Sequence, residues 1–108
     1  MSEIPEIDLD ELERRIVANP VIIDVREEDE FIEARIDGVI HIALGTVPER
    51  LAEIPTGESV LVICALGGRS ARAVEFMRAN GIDATNIAGG TLGWIESGRP
   101  VISGPASA

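Results

Sequence analysis

A single cysteine, Cys64, is followed by Ala65-Leu66-Gly67-Gly68-Arg69-Ser70, and each part of that run has a use in thiol chemistry. Glycine tolerates the backbone angles that let successive N–H groups face one concavity, an anion-binding nest. Ser70 is a favoured N-cap, so a helix opening there adds unpaired N–H groups and the positive end of its dipole. Arg69 brings a permanent cation. All of these favour thiolate over thiol, and the thiolate is the nucleophile. A negatively charged group carried on the cysteine sulfur would be held by the same donors. A lone cysteine ending an apolar strand is ordinarily an inert core residue. The glycines, arginine and helix start directly behind Cys64 point instead to an anion-cradled reactive thiol.

Such a site needs rigid elements around it. Val60-Leu61-Val62-Ile63 is the most apolar strand candidate and hence the central one, and it delivers Cys64 at its C-terminal end. Val21-Ile22-Ile23-Asp24-Val25 is a second β-branched run, of the kind found in parallel sheets covered on both faces. Val39-Ile40-His41-Ile42 and residues 84–87 read as further strands, and Ile7 as a very short first one. Between them, Asp8-Leu9-Asp10-Glu11 has the form of a capping box opening a helix to about Ala18. Residues 27–35 read as a short acidic helix. Thr46 and Pro48 suit the start of another, ending before Pro55. The helix after Ser70 runs to Asn80 with Gly81 as its C′ residue, and a last helix spans about 92–97. Strand alternating with helix predicts an α/β fold, a five-stranded mainly parallel sheet with helices on both faces. In such sheets ligands sit beyond the C-terminal strand ends, where strand order switches. Cys64 falls there.

Length and charge narrow the rest. At 108 residues and 11.5 kDa the chain is expected to be one domain, 1–108, with a core over about 7–101 and a flexible tail over 102–108. The start is acidic with no apolar stretch, and no run approaches the roughly 20 apolar residues of a membrane span. The expectation is a small soluble cytoplasmic domain. One cysteine excludes an internal disulfide and a multi-cysteine metal site, and with His41 the lone histidine no conventional zinc site is expected. A net charge of −10 argues against nucleic acid and anionic membrane as partners. All nine bases are arginine, which rules out a lysine Schiff base and a P-loop lysine.

Two residues are supporting candidates. Asp24, ending a buried strand, is expected to accept hydrogen bonds from nearby loop N–H groups, a mainly structural role. Arg26 is a candidate second cation at the mouth of the site, although an ion pair with Glu27 or Glu30 is its expected use. His41 has no neighbouring acid to orient it and reads as a packed or partly exposed histidine, not a base. Trp94, Phe31 and Phe76 read as packing residues, and Ser70 as a cap first and at most a supplementary anion donor.

The segment Cys64-Ala65-Leu66-Gly67-Gly68-Arg69-Ser70 resembles the active-site loop of single-domain rhodaneses. Asp24-Val25-Arg26-Glu27 with Glu30-Phe31 is similar to the family's acidic signature after its second strand. Gly81-Ile82, Gly89-Gly90, Trp94, Gly98 and Pro100-Val101 follow its C-terminal pattern, so the likeness runs from about Ile7 to Val101. The resemblance implies a rhodanese-like fold and a sulfurtransferase. Cys64 would take a sulfane sulfur from thiosulfate or a persulfide donor. The amides from Ala65 to Arg69 would cradle it, and Arg69 would bind the anionic donor or stabilise the persulfide. Cyanide or a thiol would then accept the sulfur, with no metal or organic cofactor. Departures from the family lie at Arg35-Ile36, where Gly-His-Ile is common, and at Ala43, where proline is. Ala65 and Leu66 are apolar where many thiosulfate-using members place polar residues.

Three other readings compete. A sulfur-carrier or interaction module would exchange persulfide sulfur with a partner protein and turn over small molecules poorly. A phosphatase or arsenate reductase also uses a cysteine and an arginine-ended loop, but the four residues between Cys64 and Arg69 suit a single sulfur atom better than a tetrahedral oxyanion. A redox sensor without a resolving cysteine would stop at sulfenic acid or a mixed disulfide.

Overall fold

The computed structural model describes residues 3–105. Five strands, β1 (Glu6–Ile7), β2 (Val21–Asp24), β3 (Ile40–His41), β4 (Val60–Ile63) and β5 (Ala84–Ile87), form one sheet in the order β1-β5-β4-β2-β3. Every pairing is parallel. The uninterrupted apolar run of β4 takes the centre, buried at all four positions. Its residues alternate between two cores. Val60 and Val62 join Ile23, Val74 and Met77 on one side; Leu61 and Ile63 join Ile22, Leu12, Ile87 and Trp94 on the other. Both faces are therefore dry, which is the condition under which an all-parallel sheet is stable.

Helices α1 (Leu9–Ile16) and α4 (Gly90–Glu96) supply Leu12 and Trp94 to one face, and α3 (Gly68–Ala79) supplies Val74 and Met77 to the other. The short acidic helix α2 (Glu28–Glu33) follows β2. The helix expected around Thr46 and Pro48 is instead two 3-10 segments, Leu44–Thr46 and Pro48–Glu53. Asp8 caps α1 through the Glu11 N–H at 2.8 Å, while the Glu11 carboxylate binds Arg14 and Arg15. At the far end of α3, Gly81 at φ +84° closes a Schellman motif. There the Ile82 N–H reaches the Met77 carbonyl and the Gly81 N–H that of Arg78.

Two expectations change. Helix α3 opens at Gly68, with Gly67 at its cap position, not at Ser70. Gly67 holds φ +121°, where a residue with a side chain is strained, and this frees Ser70 for the first turn. The tail expected to be flexible from Ile102 is pinned as far as Pro105. Arg35 and Ile102 exchange both backbone hydrogen bonds, at 2.9 and 2.8 Å, and the Arg35 guanidinium donates to the Gly104 carbonyl at 2.6 Å. Residues 106–108 lie outside the described residues. No helix among the described residues is long and apolar enough to cross a membrane.

The chain runs outward from β2 to β3 and, on the other side, from β4 to β5. The loops leaving β2 and β4 therefore diverge from a switch point. Asp24 and Ile63 are partners across that point, so Val25 and Cys64 leave the sheet side by side, with Arg26 one residue beyond.

Candidate functional site

Strand β4 fixes the Cα of Cys64, and the turn into α3 then wraps N–H groups around its sulfur. The Gly67 N–H donates to Sγ at 3.1 Å, and the Ser70 hydroxyl lies 3.3 Å from Sγ. The residue is 1% exposed. Burial pushes the thiol up, but the Ser70 hydroxyl and the backbone N–H groups of Ser70, Gly67 and Leu66 outweigh it. The net effect leaves Cys64 below the ordinary cysteine value. Ser70 Oγ also lies 3.2 Å from the Gly67 carbonyl. A hydroxyl has one proton, so ionising Cys64 draws it to the sulfur. Ser70 thus works as a donor to the thiolate inside the helix, a larger part than the capping role its type suggests.

A direct pH prediction follows from these donors. Alkylation of Cys64 by iodoacetamide should rise with pH through one ionisation and level off below the ordinary cysteine range. Ser70→Ala should move the midpoint upward and slow alkylation at neutral pH about tenfold, the equivalent of one hydrogen bond of roughly 1.5 kcal/mol to a charged group. An unshifted profile would mean that Ser70 does not support the thiolate.

The carbonyls of the same loop are turned away from the sulfur and held by α4. The Thr91 N–H donates to the Cys64 carbonyl at 2.9 Å and the Leu92 N–H to that of Ala65 at 3.0 Å. Asn86 Nδ2 holds the Gly67 carbonyl at 3.3 Å. The donors of one helix start thus face the sulfur while those of another take the acceptors. Gly90 makes this approach possible. A Cβ there would stand 2.3 Å from the Ala65 oxygen and 2.6 Å from the Cys64 oxygen, with φ already at +62°. Gly90→Ala should therefore cost about 1–3 kcal/mol in urea unfolding and slow Cys64 alkylation, because the loop must shift; wild-type stability would show that α4 does not set the loop. In the sequence, Gly89-Gly90 reads as the lead into the last helix and as part of a family pattern. A glycine pair one residue after a strand is the available signal of close backbone approach.

The two arginines are placed differently from expectation. Arg69, expected to close the ring around an anion, points to α2 and makes two bonds to the Glu30 carboxylate, at 2.8 and 2.9 Å. The Arg69 guanidinium holds the Glu30 carboxyl down to about 2, so the pair stays charged at any pH where the thiol titrates. Arg26 lines a groove beside Ala65 but is not a free cation there, nor a surface partner of the Glu27 or Glu30 carboxylates. It is buried against Asp24, with an ion pair of 2.8 Å and side chains 4% and 1% exposed. Its remaining donors go to the carbonyls of Glu30 and Ala34, at 3.2 and 2.8 Å. Asp24 also accepts the Arg26 N–H at 3.0 Å, the loop contact its position predicts. Together these bonds fasten α2 to the end of β2. Glu30 also accepts the Glu27 N–H at 2.9 Å, which caps α2.

His41 is half-buried with Nε2 2.7 Å from the Arg26 carbonyl, and its ring stacks on Phe31 at 4.5 Å. Both interactions make it a packing residue of the β2–α2 loop. Trp94 is buried with Nε1 donating to the Pro100 carbonyl at 2.7 Å, whereas Phe76 is 38% exposed.

The structure is thus an α/β domain with a donor-cradled cysteine at the switch point of its sheet. Residues 8–97 match the model of the rhodanese-like domain, and the chain belongs to that family. It is 31% identical over 100 residues to a protein named "Putative sulfurtransferase YtwF" from Bacillus subtilis, an alignment covering 91% of this chain and 97% of the relative. It is 35% identical to "Putative sulfur carrier protein YrkF" of the same organism, covering 86% of this chain but 52% of that longer protein. The crystal structure of a rhodanese-related protein from Thermoplasma volcanium superposes with a TM-score of 0.85 at 36% identity, covering 91% of this chain and 97% of that one.

Proposed function

We propose that this chain is a sulfurtransferase that moves a sulfane sulfur through a persulfide on Cys64. The observation that carries the reading is the Cys64 sulfur itself, buried at the end of the central strand and facing the Gly67 N–H and the Ser70 hydroxyl. The thiolate attacks the outer sulfur of the donor. A new S–S bond forms to Cys64, and the old one breaks with its electron pair leaving on the donor: sulfite from thiosulfate, a thiolate from a persulfide. The terminal sulfur, now anionic, occupies the cradle of N–H groups. An acceptor, cyanide or a thiolate, attacks that sulfur and releases the Cys64 thiolate unchanged. No metal, base or organic cofactor is needed once the thiol is ionised. A single thiol that must stay reduced suits the cytoplasm.

Double displacement of this kind predicts parallel lines in initial-rate plots of thiocyanate formation, with sulfur donor varied at several cyanide concentrations. Intersecting lines would require a ternary complex and reject the covalent intermediate.

The second reading, a sulfur carrier with weak turnover on small molecules, draws support from Arg69. Its guanidinium is already bound to Glu30, so the site offers a dianion such as thiosulfate little free charge. Saturation by a persulfide donor at concentrations at which thiosulfate stays far from saturation would favour the carrier.

A further inference from the structure

The surroundings of Cys64 are apolar and acidic, an odd setting for a site that must capture free anions. Leu66, at the tip of the loop, is 70% exposed, and Leu92 and Ile95 on α4 are 46% and 39% exposed. Single exposed apolar residues are ordinary; three of them flank the same reactive loop here. A groove of about 140 Å³ is lined by Ala65, Leu92 and Ile95 together with Glu30 and Glu33 of α2 and with Arg26, whose charge is paired with Asp24. The acids continue along α2, with Glu27, Glu28, Asp29 and Glu33 all exposed. The nearby cations are committed, Arg69 to Glu30 and Arg26 to Asp24, leaving Arg72 exposed on α3. With both arginines paired, the exposed charge beside these apolar side chains is mostly negative, in a chain of net charge −10.

We propose that this mouth is a docking surface for a partner protein whose sulfur-exchanging cysteine is flanked by apolar and basic side chains. The inference rests on the sulfur-transfer reading and adds the class of partner. The apolar side chains enter the groove beside Ala65 and Leu92. The basic ones meet the α2 carboxylates, which steer the encounter and reject acidic surfaces. The acid rim also explains why Arg69 is clamped: the site does not need a free cation if its sulfur arrives on a protein.

The test uses full-length protein loaded with sulfur at Cys64 and two cysteine peptides as acceptors, identical except that lysines in one replace glutamates in the other, with leucine beside each cysteine. Transfer rates are normalised to each peptide's thiolate concentration. The basic peptide should take sulfur at least about tenfold faster at low salt, with the advantage shrinking as salt is added. Glu33→Lys should reduce the preference, whereas Glu58→Lys, the same charge change at the opposite end of β4, should leave it. Equal rates for the two peptides, or equal effects of the two variants, would overturn the docking surface. Failure of the unmodified chain to load sulfur from any donor would overturn the transfer reading as well, so the two failures are distinguishable.

Discussion

Cys64→Ser should abolish sulfur transfer, lowering turnover about a thousandfold or more. An alcohol at this position stays protonated at neutral pH, and its oxygen forms no exchangeable bond to sulfane sulfur. The sequence contains no second cysteine, so no neighbouring thiol can take over, and any residual rate must come from uncatalysed exchange. The side chains are nearly the same size, and the donors from Gly67 and Ser70 remain in place. The variant should therefore fold, which circular dichroism and unfolding in urea would verify. Turnover above a few per cent of wild type in a folded variant would place the chemistry elsewhere.

The largest effect on stability is expected at Asp24. Its carboxylate is the partner of a guanidinium that is 4% exposed, and Asp24→Ala leaves that cation in the interior with two carbonyl acceptors. Breaking a buried ion pair on one side costs about 3–5 kcal/mol, because the remaining charge is uncompensated. Against a total of roughly 5–15 kcal/mol for a domain, this should bring the urea midpoint down steeply. The double variant Asp24→Asn with Arg26→Met should lose less than Asp24→Ala alone, since the charge leaves with its partner. A single-variant loss under about 1 kcal/mol would mean that the pair does not hold the β2 loop. The consequence for function is indirect. Arg26 fastens α2 through the Glu30 and Ala34 carbonyls, and α2 carries the Glu30 carboxylate that positions Arg69.

The parts of this arrangement that were legible in the sequence are those encoded locally. The run Val60-Leu61-Val62-Ile63 announces a strand buried on both faces, and it sits at the sheet centre. The Gly67-Gly68 pair announces a backbone that must depart from ordinary angles, and Gly67 does. Gly81 ends α3 as its type predicts. The parts that were not legible depend on long-range pairing. Arg69 and Glu30 are 39 residues apart, and Arg35 meets the Gly104 carbonyl across 69. Neither pattern leaves a mark in local composition, so Arg69 reads from the sequence as a free anion ligand and the tail as frayed. Ser70 shows a third limit. Serine at a strand-to-helix junction suggests a cap, but the positive φ available to Gly67 lets the helix begin three residues earlier and turns the hydroxyl onto the sulfur. The hold of α4 on the Cys64 and Ala65 carbonyls was hidden for a similar reason, since a glycine chosen for close approach resembles one chosen for a turn.

A sulfur atom carried covalently on Cys64 is read directly by intact mass spectrometry. Reduced protein is mixed with thiosulfate or with a low-molecular-weight persulfide, separated from the donor, and weighed before and after addition of cyanide. The expected result is a gain of one sulfur atom on Cys64 that cyanide removes with release of thiocyanate. An unchanged mass with both donors, while Cys64 remains reduced and the fold intact, would contradict it.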